Sequence, residues 1–296
     1  MLLNINKLIS LRYFLKKISK DVFRIAIFSC IVGIIARGNY LGALMIPTGL
    51  IAIIGTAISL LLAFRTSQSY DRWWEARIIW GAIVNDSRTL IRQLILFLPE
   101  GNKTEIRIFI ERHVIWCLAL SESLRKVPFS AKVQNYITKH QIKDSNIANG
   151  IITLHCKHLK LIKERGDITE FREVQVDETL TRFCNSMGGC ERIKNTIFPV
   201  SYGKLIHFLI YLFALLLPFS LTDNYVILKT ILTAIIPLIF IIIERTAILM
   251  QDPFENAPMD TPMTKISLTI EANLYQMIDE DFEMPIGSKL KDYYVL

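Results

Sequence analysis

Apolar residues along this chain gather in long uninterrupted runs, with the polar residues between them. From Gly38 to Phe64 no residue is charged, and Leu205 to Thr222 and Tyr225 to Ile243 are almost as apolar. Each run is close to the roughly 20 residues that a helix rising about 1.5 Å per residue needs to cross about 30 Å of hydrocarbon. A fourth run, Ile25 to Ala36, is short by itself. It reaches spanning length, Phe23 to Tyr40, if Arg24 and Arg37 extend their charged ends toward the lipid headgroups. A secretory signal peptide is the other reading, because Lys16, Lys17, Lys20 and Arg24 precede a short apolar run. Against it, no small-x-small cleavage site follows and a second apolar run begins within a few residues. Four transmembrane helices are therefore expected.

Between the second and third spans the pattern changes. Thr104 to Val127, Ala131 to Ile142, Ile147 to Glu164 and Thr169 to Met187 carry apolar residues at helical intervals, separated by Pro128, by Asp144-Ser145-Asn146 and by Gly166-Asp167. No stretch alternates as a strand does. The expected fold is an all-α membrane protein, with a cytoplasmic N-terminal segment over residues 1–24, transmembrane helices 1 and 2 over 25–81 and a cytoplasmic helical region over 82–204. Transmembrane helices 3 and 4 follow over 205–250, then a cytoplasmic C-terminal segment over 251–296. The cytoplasmic helices are expected to continue the spans and to pack with them as one unit. Pro218 and Pro237 fall inside the third and fourth spans, where neighbouring helices can satisfy the freed carbonyls. Glu244 and Arg245 mark the inner end of the fourth.

Composition agrees with this picture, since 52% of the 296 residues are hydrophobic against roughly 45–50% in soluble domains. Charge supplies the orientation. Lys7, Arg12, Lys16, Lys17, Lys20 and Arg24 precede the first span, while the far-side linkers hold only Arg37 and, before Lys229, Asp223. Both termini and the long middle are thus cytoplasmic. The net charge of +7 needs no nucleic acid, because anionic membrane lipid is a sufficient partner. Cys30, Cys117, Cys156, Cys184 and Cys190 show no paired spacing and read as buried, reduced thiols. His155, Cys156 and His158 sit too close together to surround one ion from a single helical face, so no metal site and no cofactor is expected. His113, His140 and His207 are isolated, and no phosphate loop, nucleophile elbow or zincin motif is present. An enzyme is not indicated.

The second span carries small residues, Gly49, Ala52, Gly55, Ala57, Ser59 and Ala63, that allow close helix approach. Thr56, Leu60 and Phe64 are spaced by four and stack along one face. Two readings stay open: the face packs on another span, or several copies of the chain around an axis bring it together as a narrow apolar neck, gated by wetting and dewetting.

Directly after this span comes Phe64-Arg65 and then Tyr70-Asp71-Arg72-Trp73-Trp74-Glu75-Ala76-Arg77 with Trp80-Gly81. This collar closely resembles the signature of the bestrophin family in its bacterial branch. Gly189-Cys190-Glu191-Arg192-Ile193, Phe198-Pro199-Val200-Ser201-Tyr202 and Asp252-Pro253-Phe254-Glu255-Asn256 agree with it in order along the chain. The resemblance implies a homopentameric ion channel of the bacterial inner membrane, with four spans per protomer, one axial pore and a large helical cytoplasmic vestibule. Counting back from Arg72, the family's neck positions fall on Thr56, Leu60 and Phe64, and a cytoplasmic constriction falls near Val174. Asp71, Arg72, Trp73, Trp74, Glu75 and Arg77 read as a structural collar of interfacial ion pairs at i, i+1 and i, i+4 and of aromatic anchors.

The chain departs from the family at two places. Eukaryotic relatives follow the Pro-Phe motif with a dense acidic run that clasps calcium, whereas Asn256-Ala257-Pro258-Met259-Asp260 stands here. Calcium wants several converging oxygens, so opening is expected to be calcium-independent. Asp279-Glu280-Asp281 with Glu283 lies a helix later and reads as a solvated tail. The neck has one aromatic ring of residues where animal relatives tend to have more, and aromatic edges favour anions. Leu60 and Thr56 weaken that preference, and the resemblance to the bacterial branch, whose members are associated with sodium permeation, implies monovalent cations, sodium first, over chloride, with the chloride channel as the alternative. A membrane-anchored scaffold or sensor that binds a cytoplasmic partner is the reading from another class.

Overall fold

A computed structural model describes residues 7–37, 46–196, 198–221, 226–257 and 259–280. Part of the uncharged run (38–45), Asp223, Asp281 and Glu283 lie outside the described residues. All regular structure among the described residues is helical, as expected. The helices are α1 (Lys7–Arg37), α2 (Thr48–Phe97), α3 (Lys103–Arg125), α4 (Ala131–His140), α5 (Ile147–Glu164), α6 (Glu170–Asn195), α7 (Val200–Leu216), α8 (Val226–Gln251) and α9 (Met263–Gln276).

The boundaries follow local chemistry. Asn146 caps α5 by accepting the Asn149 N–H at 3.1 Å, and Gly166 takes φ +81° just past its end, the left-handed region that glycine enters without strain. α3 stops on Lys126 in a left-handed turn whose N–H reaches back to the Glu122 and Ser123 carbonyls, and Pro128 follows. α6 runs on to Asn195 rather than ending near Met187, because Gly188-Gly189 is not a stop. A Cβ on Gly189 would lie 2.9 Å from Ile79 Cδ1, so the missing side chain leaves room for the tip of that α2 side chain. Pro218 falls in a 3₁₀ turn, Leu217–Phe219, directly after α7. It therefore ends that helix instead of interrupting it; Pro237 does lie inside α8.

The chain forms two compact units. One holds α1, α2 up to Arg72, α7 and α8, with a core of Ile25, Ile58, Leu62, Ile206, Phe213 and Ile241. Gly55 sits close against that core, where a Cβ on it would meet the Phe213 ring at 3.2 Å. The other holds α2 from Trp73, α3 to α6 and α9, around Trp80, Phe109, Trp116, Phe183 and Phe254. Three described helices are long and apolar enough to cross a bilayer: α2, α7 extended to Phe219, and α8 from Lys229. α1 is long enough at 31 residues, but only its second half is apolar.

Candidate functional site

The N-terminal half of α2 has two faces. Ile51, Ile58, Leu62 and Arg65 are buried within their unit, while Thr56, Leu60 and Phe64 lie on the other side, with Leu60 71% and Phe64 55% exposed. Ala52, Ile53, Ala57 and Ala63 are exposed beside them, so the uncovered surface is broader than a single stripe. Among the described residues the face therefore packs on no other span, apart from the Phe64 ring, which lies 6.1 Å from that of Tyr202. Thr56 donates its hydroxyl to the Ala52 carbonyl at 2.8 Å, and Ser59 donates to the Gly55 carbonyl at 2.9 Å. With the protons turned back into the helix, the hydroxyl oxygens keep lone pairs for other donors.

Immediately after Phe64 the chemistry inverts. Arg65 is 5% exposed and Glu244 is 0% exposed; Nη1 of Arg65 donates to Glu244 Oε1 at 2.5 Å. His207 Nε2 lies 2.9 Å from the other carboxylate oxygen, and the Arg65 guanidinium stacks over Phe198 at 5.1 Å. Tyr202 donates its hydroxyl to the Leu61 carbonyl at 3.1 Å. His207 is thus not isolated, and Glu244 does more than mark the end of a span: both belong to a buried ion cluster on α2, α7 and α8. The signal for it was a lone acid in an apolar helix, a buried charge that needs a partner.

The collar residues find their partners far along the chain. Arg72 donates to the Gln251 carbonyl at 3.0 Å. Trp73 Nε1 donates to the Met259 carbonyl at 2.7 Å, and the Arg77 guanidinium lies 4.6 Å from the Trp73 ring. Glu75 pairs with Arg192 of α6 at 2.7 Å; Asp71 and Trp74 are exposed, the latter 6.1 Å from Trp73. Val174, on α6, is exposed beside Phe171.

The Asp252–Asp260 segment closes on itself. Asp252 accepts from Lys194 Nζ at 2.5 Å and from the Phe254 N–H at 3.2 Å, and Asp260 accepts from the Ala257 N–H at 2.9 Å. Burial pushes the Asp260 carboxyl up to about 6. Among the described residues no three His, Cys, Asp or Glu side chains gather to hold a metal ion.

His113 is likewise not isolated. Its Nε2 lies 2.7 Å from Ser87 Oγ, whose proton is committed to the Ile83 carbonyl, so Nε2 carries the hydrogen. Burial pulls His113 down to about 3 and His155 well below its ordinary value. His158 meets Glu105 at 2.6 Å, which also takes Arg165 at 2.9 Å. Only Cys117 and Cys190 are buried; Cys184 is half-buried and Cys30 and Cys156 are exposed, against the expectation of five buried thiols. Burial pushes the Cys190 thiol up to about 12.

Apolar helices long enough to cross a bilayer, one with an uncharged exposed face beside a buried ion cluster, make this a helical membrane protein. A sequence model described as "Bacterial/Fungal Bestrophin protein" matches residues 9–276, and the chain belongs to that family. A voltage-dependent anion channel-forming protein of Escherichia coli K12 is 29% identical over 233 residues, covering 77% of this chain and 76% of the relative. Another of that description, from Mesorhizobium japonicum, is 26% identical over 267 residues, covering 89% and 86%. Among solved structures, a bacterial bestrophin homologue from Klebsiella pneumoniae superposes with a TM-score of 0.81 at 27% identity, covering 90% of this chain and all (100%) of that one.

Proposed function

We propose that the chain assembles as a homopentamer in the bacterial plasma membrane and conducts small monovalent ions along one axis, through a neck lined by Thr56, Leu60 and Phe64. The observation that carries this reading is the uncharged face of α2, exposed in the single chain, which five copies would turn toward a common axis. α1 supplies the fourth span, both termini are cytoplasmic, and Val174 forms a second constriction. The stretch Asn256-Ala257-Pro258-Met259-Asp260 lacks the dense carboxylates that a calcium site wants, so in this reading opening does not require calcium. Thr56 favours cations, since its oxygen faces outward with the proton withdrawn into the helix.

The opposite selectivity has its own support. The curated relatives are named as anion channel-forming proteins, and the exposed Phe64 offers a positive ring edge. Proteoliposomes holding the purified chain under a sodium chloride gradient separate the two. A reversal potential near that of sodium is expected, one near that of chloride assigns the anion reading, and no current in either direction removes the channel. In the same recordings Leu60→Ala should raise conductance; an unchanged value would take Leu60 out of the lining.

A further inference from the structure

Where the start of α7 meets the end of α8 lies a cleft of about 630 Å³, walled by Arg65, Phe198, Gly203, Lys204, Ile248 and Gln251. All of these residues belong to one compact unit. Arg65 is 5% exposed and commits Nη1 to Glu244. Its other terminal nitrogen, Nη2, has no hydrogen-bond partner among the described residues and, unlike Nε, is not sealed from solvent. Gly203 keeps that opening, since a Cβ there would stand 3.4 Å from Nη1 and 3.7 Å from Nη2. The Phe198 ring holds the guanidinium from another side at 5.1 Å. A charged donor fixed on a cleft wall, with an N–H left over, calls for an anionic acceptor.

The charge balance of the cleft agrees. Lys204 lies on the same wall, exposed and without a counter-ion among the described residues. Glu244 also reaches the cleft, but Arg65 and His207 already hold it. With His207 neutral, two cations against one carboxylate leave a single positive charge, which one phosphodiester balances. A metal cation would meet repulsion.

The apolar surroundings say what carries the phosphate. α7, extended to Phe219, and α8 are long and apolar enough to cross a bilayer, and the cleft lies at their charged ends, where headgroups lie. Phe208 follows Lys204 by one turn and Leu215 by two more on the same helical face, and they are 63% and 42% exposed. A base above an uncovered apolar stripe matches a headgroup above an acyl chain. Free phosphate would leave the stripe bare.

We propose that this cleft seats the phosphate of an anionic phospholipid, with Arg65 Nη2 and the Lys204 ammonium as donors and an acyl chain laid along Phe208 and Leu215. The inference rests on α7 and α8 spanning the bilayer and holds whether or not the chain conducts ions.

Native mass spectrometry of the purified full chain in detergent, with dioleoyl phosphatidylglycerol or dioleoyl phosphatidylcholine added, tests it. Phosphatidylglycerol should be retained in preference. Substituting Arg65 would strand the buried Glu244, so the test uses Lys204→Met, at an exposed position, and Gly203→Ala, which covers the guanidinium at contact distance. Lys204→Met should lower the retained phosphatidylglycerol about fivefold, and Gly203→Ala should lower it too, both with melting temperatures near the parent's. Equal retention of the two lipids by the parent overturns the proposal. So does phosphatidylglycerol retention that both variants leave unchanged. Inorganic phosphate that displaces the lipid at equal concentration overturns the acyl chain as part of the ligand. The readout is bound lipid, so a failure here and a failure to conduct ions are separate results.

Discussion

Glu244 is the only acid in α8, and it is held between Arg65 and His207 with no exposed surface. Taking a carboxylate and a guanidinium out of water is expensive, and the pair recovers that cost only while both members are present. Glu244→Gln should therefore destabilise the purified protein by about 3–5 kcal/mol, read as a lowered melting temperature, because Arg65 stays buried without its counter-charge. The double variant Arg65→Met with Glu244→Gln should recover much of the loss, and a double variant no better than the single would show that the pair is not coupled. His113 sets a pH dependence. Its folded pKa of about 3 lies below the ordinary 6.5, so the neutral imidazole contributes stability that is complete above about 6.5 and is lost as pH falls toward 3. Melting temperature should drop from pH 7.5 to pH 5, and His113→Phe, which fits beside Trp116 and Phe183, should flatten part of that slope. Undiminished pH dependence in the variant would shift the cause to His155 or elsewhere.

At the scale of elements, α6 shows where reading the sequence succeeds and where it stops. Asn146 and Gly166 bracket α5, and its limits were legible because a cap and a left-handed glycine act within a few residues of the chain. The glycines at 188 and 189 look alike in the sequence and differ in space. Nothing lies within 4 Å of a Cβ on Gly188, whereas one on Gly189 meets Ile79 Cδ1 at 2.9 Å. Gly188→Ala should be neutral or stabilise by up to about 1 kcal/mol through helix propensity, while Gly189→Ala should gain less or lose slightly, because the flexible Ile79 tip has to move aside. Thermal melts of the two variants decide it, and equal effects would remove the close approach as the reason that α6 continues. The ion cluster was illegible for the same physical reason, since Arg65 and Glu244 are 179 residues apart and nothing local couples them.

For the whole molecule, the all-helical fold class was readable because lipid enforces it: a span must satisfy its own backbone. Copy number was not, because a single chain contains only one side of each contact between copies. The broad exposed face of α2, small at Ala52, Ala57 and Ala63, needs cover in a folded assembly. Mass measurement of the detergent-solubilised complex should give five copies, and a stable monomer or dimer would favour the scaffold reading. The Arg65–Glu244 pair finally bears on how the protein is made. At about 5–20 residues per second, ribosomes take roughly 10–40 s to synthesise the stretch between the two residues. During that interval Arg65 waits at the end of an inserted apolar helix without its counter-ion, so the second helix stays provisional in the bilayer until the last span emerges.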